Sequence, residues 1–256
     1  MTHYDDTMAC DYYVTAIITT DGKLNTFNTL DPAHKQRSDL QTINLADAVV
    51  SMAFNHRGMV IMTARGEVYL REHYDISPTP TLLGLPSPAK EIVCQTNLFY
   101  IITVDGSLYS LNHNNRLSHV AVPEQVVSIS SGSVHTLILT ITCNVYGFGG
   151  NWFGQVGNGT FETVTSPVLI ELPSPCKSIV TGVNSSVAIL ETGEMYGWGM
   201  LCGRPIVTRP QLVQFDRELG VVESVAPSTP DNELTVITKA GKVYSDRGNG
   251  FVIVKE

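Results

Sequence analysis

The chain has 256 residues, of which 43% are hydrophobic and 16% charged, and its net charge is −8. That hydrophobic fraction is too high for a disordered chain. The acidic balance argues against a surface for nucleic acid or an anionic membrane, because phosphate binding needs clustered Lys and Arg. The length is compatible with one or two domains. No linker-like composition break interrupts it, so we expect a single domain spanning residues 1–256.

The sequence predicts neither a signal peptide nor a transmembrane helix. Its first residues, MTHYDDTMAC, lack a basic stretch followed by an apolar one, so no signal peptide is expected. No run approaches the ~18 apolar residues of a transmembrane helix. The five cysteines are widely spread and include no C-x-x-C pair, which predicts neither a disulfide framework nor a zinc site. An intracellular location, cytoplasmic or nuclear, fits best.

One short phrase recurs six times along the chain. Its copies read, in order, AIITTDGKLN, VIMTARGEVY, YIITVDGSLY, ILTITCNVY, AILETGEMY and VITKAGKVY. They share a turn position, which is occupied by Gly22, Gly66, Gly106, Cys143, Gly193 and Gly241. The intervals between these positions run from 37 residues (106 to 143) to 50 residues (143 to 193). Repeats of about 40–50 residues with several short strands are typical of β-propellers.

Fixed columns flank the turn position. A threonine lies three residues before it in five copies of six, and a tyrosine lies three residues after it in five of six. The apolar residue two positions after the turn is present in every copy: Leu24, Val68, Leu108, Val145, Met195 and Val243. Such agreement at fixed offsets indicates one structural unit repeated six times.

Each copy predicts a β-hairpin. A β-branched run meets an x-Gly pair and is followed by an apolar–aromatic run, and glycine supplies the positive φ that a tight turn needs. Adjacent apolar residues before the turn, such as Ile17 with Ile18, predict a strand buried on both faces. No apolar stripe with helical spacing is present, so few helices are expected.

Less regular strands are predicted before the hairpins. They cover Ala48 to Ala53, Glu91 to Cys94, Val126 to Ser130, Ser178 to Thr181 and Val222 to Val225. With an outer strand after each hairpin, the fold class is all-β: a β-propeller of about six four-stranded antiparallel blades. A β-sandwich or barrel with accidental repetition is the alternative. We also expect ring closure by pairing of the terminal strands, with about Thr2 to Ala9 completing the last blade, since an unclosed ring leaves unpaired edges.

The fourth and fifth copies resemble the repeat of the regulator of chromosome condensation family. That repeat combines a Gly-x-x-His element, a W-G-like pair after the hairpin, N-x-x-G-Q-L-G, and a P-x-x-V strand. The matching positions in the fourth copy are Gly132, His135, Gly147, Phe148, Gly149, Asn151, Gly154, Gln155, Val156, Gly157, Pro167 and Val168. The fifth copy matches at Gly197, Trp198, Gly199, Gly203, Pro210 and Val213. The resemblance implies a propeller; the best-known members have seven blades, whereas this chain has six repeats.

The sequence contains few features that indicate a catalytic site. It contains no G-x-S-x-G, H-E-x-x-H or Walker motif. None of its seven histidines has metal-ligand spacing to another, and His135 is interpreted as a structural residue satisfied within its own blade. The glycine-rich stretch from Gly147 to Gly159 lacks a basic residue and a following helix, so a phosphate site is not expected. We therefore expect no enzyme activity, no metal and no cofactor.

Without a catalytic motif, the function expected from the sequence is the binding of partners through surface residues. The candidate partner-binding residues are Trp152, Phe153, Arg71, His73, Tyr74 and Arg116. Trp, Tyr and Arg dominate binding hot spots. The alternative for Trp152 and Phe153 is that both rings fold back onto the neighbouring blade. The alternative for the REHYD segment and for the turn containing Arg116 is a charged, solvated loop.

These observations favour a non-catalytic protein-interaction scaffold, because rigid strands can hold variable loops for binding. Its partners are expected to be one or more proteins, without nucleic acid or membrane insertion. The family resemblance implies an alternative, a guanine-nucleotide exchange factor for a small GTPase, which acts by differential affinity. The inserted wedge and basic chromatin-binding tail expected of such a factor are not found. A subunit of a cytoskeletal or other large assembly, or an enzyme inhibitor, are further alternatives.

Overall fold

The structure is a computed structural model that describes residues 7–10, 14–28, 40–55, 58–72, 79–112, 114–227, 233–246, 248 and 250–255. These residues form 24 β-strands and one short 3-10 helix, Arg217–Leu219. None of the described residues lies in an α-helix. Accordingly, no helix in this part of the chain has the length and apolar character to cross a membrane.

The first compact unit, Met1–Val120, contains three antiparallel sheets. The first sheet consists of β1 (Thr7–Cys10), β2 (Val14–Ile18), β3 (Leu24–Asn28) and β4 (Gln41–Ile43). The second consists of β5 (Val49–Asn55), β6 (Gly58–Thr63), β7 (Val68–Glu72) and β8 (Thr81–Leu82). The third consists of β9 (Ala89–Cys94), β10 (Phe99–Thr103), β11 (Leu108–Leu111) and β12 (Leu117–Val120).

The second compact unit, Ala121–Glu256, contains the other three sheets. The fourth sheet consists of β13 (Val126–Ser131), β14 (His135–Thr140), β15 (Val145–Gly149) and β16 (Val164–Ile170). The fifth consists of β17 (Cys176–Thr181), β18 (Ser185–Leu190), β19 (Met195–Gly199) and β20 (Val207–Val213). The sixth consists of β21 (Val222–Pro227), β22 (Leu234–Thr238), β23 (Val243–Asp246) and β24 (Phe251–Lys255).

The predicted fold class is confirmed: six sheets of four antiparallel strands, each joined in chain order. Every recurring phrase forms the hairpin between the second and third strands of its sheet. In the fourth copy, for example, Leu139 pairs with Val145 across the turn. The turn glycines have φ between 77° and 83°, and Cys143 takes the same left-handed conformation at 63°.

The threonine column has a local cause in the same turn. In the third copy the Thr103 hydroxyl donates to the Ser107 carbonyl at 3.0 Å, and the Gly106 amide donates to the Thr103 carbonyl at 2.9 Å. The Thr19 hydroxyl makes the equivalent bond to the Lys23 carbonyl at 3.1 Å. The side chain thus closes the hairpin alongside the backbone, which is why threonine recurs there.

The core lies between successive sheets within each unit. In the second unit, Leu137 and Leu139 of the fourth sheet pack with Ala188 and Trp198 of the fifth. The predicted burial on both faces is confirmed for β6, β10, β14 and β18, in which every residue is buried. Strands β2 and β22 differ, because their residues alternate between buried and more exposed. One face of the first and of the sixth sheet is therefore less covered than in the other four.

The two terminal strands complete different sheets. Thr7–Cys10 pairs with Val14–Ile18 in the first sheet, and the sixth sheet has its own fourth strand, Phe251–Lys255. This corrects the expectation that residues from Thr2 to Ala9 complete the last blade; of these, residues 2–6 lie outside the described part. The end of β23 is tied to the start of β24, since the Asp246 side chain accepts bonds from the amides of Gly248 (2.7 Å) and Gly250 (3.1 Å). Closure of the ring stays a prediction.

Candidate protein-binding surface

The loop between β15 and β16, residues 150–163, carries the predicted aromatic pair. Its start is held against the segment before β14, since the Gly150 amide donates to the Val134 carbonyl at 2.7 Å. The fully buried Asn151 side chain then organises the loop from inside. Its Nδ2 donates to the Thr160 carbonyl at 2.9 Å, and its Oδ1 accepts from the Val156 amide at 2.9 Å. One asparagine thereby ties the two ends of the loop together.

The loop is also bound to the fifth sheet through Gln155. Its carbonyl oxygen accepts two hydrogen bonds, from Trp198 Nε1 at 2.8 Å and from the Ser186 hydroxyl at 2.7 Å. All three residues are fully buried. Buried hydrogen bonds are costly to break because each group would lose its partner without regaining water. The loop is therefore a fixed part of the interface between the fourth and fifth sheets.

His135 joins the same network. Its Nε2 lies 2.8 Å from the Ser186 hydroxyl oxygen, whose single proton is already donated to Gln155. The imidazole must therefore donate from Nε2, which assigns its neutral tautomer. Burial lowers the pKa of His135 from 6.5 to about 4. The expectation that it is satisfied within its own blade needs correction, because this partner belongs to the next sheet.

Gly157 allows the loop to lie directly on the Trp198 indole. A Cβ at this position would lie 2.6 Å from Trp198 Nε1, and the φ of Gly157 is +91°. Both features exclude an ordinary side chain. The glycines of the N-x-x-G-Q-x-G motif thus serve close packing between sheets, and no anionic ligand is needed to explain them.

The two ends of this fixed loop present aromatic rings to solvent. Trp152 is 67% exposed and Phe161 is 54% exposed. Each follows directly after a residue of the Asn151–Thr160 hydrogen bond, so their backbones are held close together. Phe153 is half-buried, and its amide donates to Gln155 Oε1 at 2.9 Å. The sequence left two alternatives, that Trp152 and Phe153 both face a partner or that both fold back onto the neighbouring blade. In the structure Trp152 is exposed and Phe153 is half-buried.

Arg209 adds a cation beside the loop. A Cβ on Gly159 would lie 2.8 Å from Arg209 Nε, so the guanidinium rests against the loop backbone. Its Nη1 bonds Glu171 Oε2 at 2.9 Å in an exposed pair. We define the aromatic loop surface as Trp152, Phe161 and Arg209. Aromatic residues and Arg are enriched in the energetically important part of protein interfaces.

The remaining predicted residues lie in the first unit. Arg71, on β7, is bound to the first sheet, with Nη1 donating to Thr26 Oγ1 at 3.0 Å and Nη2 to Gln41 Oε1 at 3.1 Å. Arg116 is exposed in the β11–β12 turn, and its amide donates to Asn112 Oδ1 at 3.0 Å. A bond from Asn115 Nδ2 to Glu72 Oε1 brings this turn and the end of β7 together. His73 and Tyr74 lie outside the described residues.

Sequence reasoning missed Phe161 and Arg209. Phe161 lies four residues after Gly157, the last residue of the N-x-x-G-Q-x-G motif, and an apolar residue in a polar loop was an available signal. Arg209 had none, because its position against Gly159 depends on how the fifth sheet meets the loop. A residue's neighbours across two sheets cannot be read from spacing along the chain.

Metal and ligand binding depend on converging metal-ligating side chains and on grooves among the described residues. No group of three or more His, Cys, Asp or Glu side chains converges in that part of the chain. A groove of about 1100 Å³ lies in the second unit, lined by Phe215, Leu219, Phe251, Glu194 and Asp216 among others. Its lining residues include no Lys, Arg or His, so they provide no cation for a phosphate group.

The comparisons with known proteins agree with this geometry. Residues 144–189 match the model of the regulator of chromosome condensation (RCC1) repeat. The match runs from β15 into β18 and includes the loop and its partner Ser186, whereas Trp198 and Arg209 lie beyond it. The predicted resemblance to the regulator of chromosome condensation family is thereby confirmed.

Curated relatives match part of the chain, among them proteins of Drosophila melanogaster and Dictyostelium discoideum. The regulator of chromosome condensation of Drosophila melanogaster is 33% identical over 137 residues, which are 51% of this chain and 25% of that protein. A bifunctional serine/threonine-protein kinase/NEDD4-like E3 ubiquitin-protein ligase of Dictyostelium discoideum is 32% identical over 110 residues, 39% of this chain and 6% of that protein. This chain therefore spans a quarter or less of either relative.

A solved structure extends the likeness to most of the chain. Prp20p from Saccharomyces cerevisiae superposes with a TM-score of 0.67 and 17% identity, covering 86% of this chain and 66% of that one. It was described together with its binding properties to Gsp1p and histones. At this identity the likeness shows the fold, which is that of the RCC1-type β-propellers.

Proposed function

We propose that this chain is a non-catalytic protein-interaction scaffold whose partner binds the aromatic loop surface. The observation that carries the proposal is Trp152, which is 67% exposed on a loop that buried hydrogen bonds hold in place. Because the loop backbone is already held in place, it loses little conformational freedom when a partner binds. The large ring then buries a large apolar area against the partner. Such residues are the usual anchors of protein interfaces.

The partner is a protein, and the chain acts as one propeller domain inside the cell, in the cytoplasm or nucleus. The binding of Gsp1p and histones by Prp20p supports a protein partner, since both chains share the fold. The kinase and ligase activities named for the Dictyostelium relative belong to a protein of which this chain covers 6%. They lend no support to catalysis by these 256 residues.

The test compares Trp152→Ala with a matched control, Ile141→Ala. Ile141 is similarly exposed but lies at the opposite end of the same sheet, in the β14–β15 turn. Proteins retained by the immobilised wild-type chain are quantified on both variants. We expect Trp152→Ala to reduce retention by at least about tenfold, as for a hot-spot residue, and Ile141→Ala to leave it unchanged.

Equal retention by the wild type and a folded Trp152→Ala variant would remove the aromatic loop surface from the proposal. Thermal unfolding of both variants checks that the fold is retained. Because both side chains are exposed, neither truncation should shift the free energy of unfolding by more than about 0.5 kcal/mol.

Guanine-nucleotide exchange on a small GTPase is the second candidate. It is favoured by the likeness to Prp20p, which was studied for its binding to Gsp1p. An exchange factor binds the nucleotide-free GTPase more tightly than the loaded one. A panel of small GTPases loaded with a fluorescent nucleotide discriminates between the candidates. Release accelerated by about 1000-fold or more, equivalent to ~4 kcal/mol, would establish exchange; binding without release supports the scaffold.

A further inference from the structure

The groove in the second unit is formed by the fifth and sixth sheets and the segment that connects them. Its walls come from the β18–β19 turn, the end of β20 with the connection after it, the start of β21 and the start of β24. Trp152, Phe161 and Arg209 are not among its lining residues. The groove is therefore separate from the aromatic loop surface.

Half-buried apolar side chains form the inner side of the groove. Phe215, Leu219 and Phe251 line it and pack against the core cluster of the fifth and sixth sheets. The Phe215 ring meets the Phe251 ring edge to face, with centroids 4.8 Å apart, and the Tyr244 ring at 5.5 Å. The Tyr244 hydroxyl donates to the Leu219 carbonyl at 3.1 Å. These contacts hold the apolar side in place, so a partner need not order it on binding.

Two exposed aliphatic side chains continue this apolar surface towards solvent. Leu212 is 41% exposed and Val221 is 57% exposed, and both line the groove. Leu212 pairs with Tyr196 in the fifth sheet as Leu169 pairs with Tyr146 in the fourth, but Leu169 does not line the groove. Exposed apolar surface that lines a groove is typical of a binding site.

The charged residues that line the groove, Glu194 and Asp216, are both acidic. Glu194 Oε2 accepts a hydrogen bond from the Thr192 hydroxyl at 3.1 Å, and Asp216 Oδ1 accepts one from the Glu218 amide at 3.0 Å. These uncharged donors position the two carboxylates and leave their negative charge in place. Glu218 adds an exposed carboxylate on the same turn as Asp216. The groove is thus complementary to an apolar side chain that is accompanied by cations.

We propose that this groove binds a basic segment of a partner protein, in which a large apolar side chain is flanked by Lys or Arg. The apolar side chain packs against Phe215, Leu219 and Phe251, and the flanking cations lie beside Glu194 and Asp216. Charge complementarity selects this occupant, because an acidic or phosphate-bearing ligand would meet like charge. A second copy of this chain fits less well, since its net charge of −8 opposes the approach.

Fluorescence anisotropy with labelled synthetic peptides tests the proposal. The lysine peptide has a central Leu-Phe pair with two lysines on each side, and the glutamate peptide has glutamates in their place. We expect the full chain to bind the lysine peptide with a Kd of about 100 µM or tighter, and the glutamate peptide at least about tenfold more weakly. No binding of the lysine peptide, or equal binding of both peptides, would overturn the proposal.

A pair of matched variants locates the binding. Leu212→Ser removes an apolar side chain from the groove and should weaken binding of the lysine peptide at least about fivefold. Leu169→Ser is the control, because this leucine has the equivalent position in the fourth sheet, is also exposed and lies outside the groove. It should bind like the wild type, and equal weakening in both variants would exclude the groove as the site. Both side chains are exposed, so neither variant should unfold.

A second pair tests the role of the carboxylates. Glu194→Gln/Asp216→Asn removes both charges but keeps an acceptor oxygen for the hydrogen bonds within their turns. It should weaken binding of the lysine peptide at least about fivefold and make binding less sensitive to salt. Glu162→Gln/Glu171→Gln removes the same charge from exposed residues outside the groove and should change binding little. Equal weakening by the two double variants would assign the attraction to net charge and overturn the proposal.

Two further measurements distinguish other occupants. Wild-type dimers in sedimentation velocity that Leu212→Ser dissociates would replace the partner segment with a second copy. Nile red that binds the wild type but not Leu212→Ser, without binding of the lysine peptide, would replace it with a small apolar ligand. Trp152→Ala should bind the lysine peptide like the wild type, so this proposal and the one for the aromatic loop surface fail separately.

Discussion

His135 Nε2 and Ser186 Oγ lie 2.8 Å apart and join two consecutive sheets through a neutral imidazole. The bond continues from Ser186 to the Gln155 carbonyl, which Trp198 also contacts. The histidine of the repeat is thus the first member of a buried chain of donors that ends on the loop bearing Trp152. Disturbing any member of this chain should affect both the stability of the second unit and the placement of the loop.

The buried histidine makes stability depend on pH. The pKa of His135 is about 4 in the folded chain and 6.5 ordinarily, because burial disfavours the charged ring. Between these values the unfolded state binds the proton and the folded state does not. The free energy of unfolding should therefore fall as the pH is lowered from about 6.5 to about 4, by roughly 3 kcal/mol from this residue.

Urea denaturation at a series of pH values measures this dependence. His135→Gln is the control, because its amide does not titrate. The variant should be less stable at pH 7, and its stability should decline less steeply between pH 6.5 and pH 4. Parallel profiles for wild type and variant would show that another group causes the acid sensitivity.

Two glycines with similar backbone conformations allow the cost of backbone strain to be measured separately from the cost of disturbed packing. Gly157 has a φ of +91° and faces the Trp198 indole, whereas Gly193 has a φ of +83° with open space around it. Gly193→Ala should lower the free energy of unfolding by about 1 kcal/mol, from backbone strain alone. Gly157→Ala should lower it by about 3 kcal/mol, since the methyl group also pushes against the indole.

Chemical denaturation and tryptophan fluorescence distinguish the two glycine variants. Only Gly157→Ala should change the emission of the buried Trp198, because only its methyl group contacts that ring. If both alanines destabilise the chain equally, the close approach of the loop to Trp198 is not what requires glycine at position 157.

Cys143 occupies the turn position that is glycine in the other five copies. Its φ of 63° is left-handed, a conformation that costs a side-chain-bearing residue about 1–2 kcal/mol. Cys143→Gly should raise the free energy of unfolding by about 0.5–1 kcal/mol, after allowing for the greater freedom of glycine in the unfolded chain. The denaturation midpoint checks this. A lower midpoint would mean that contacts of the cysteine side chain outweigh its backbone strain.

The ion pair between Arg204 and Asp246 connects the fifth and sixth sheets. Asp246 is 2% exposed and also accepts the Gly248 and Gly250 amides. Asp246→Ala leaves the guanidinium and both amides without that partner and should lower the free energy of unfolding by about 3–5 kcal/mol. Glu171→Ala, which removes the exposed pair with Arg209, should cost less than about 1 kcal/mol. Equal losses in the two variants would contradict this difference in burial.

The sequence alone determined the number and type of the repeated elements. The six phrases with their glycine and threonine columns predicted six hairpins, because hairpin turns and strand burial depend on residues a few positions apart. The Gly-x-x-His and N-x-x-G-Q-x-G elements carry the family resemblance, and residue type and position in a loop make Trp152 a candidate anchor.

Only the tertiary structure decided which residues meet across sheets. The partner of His135 lies 51 residues along the chain, and Trp152 and Phe153, although adjacent, differ in exposure. Likewise the N-terminal strand joins the first sheet, and β24 completes the sixth. Periodicity describes how a strand alternates its faces, but what covers each face depends on packing between elements far apart in the chain, which no local pattern encodes.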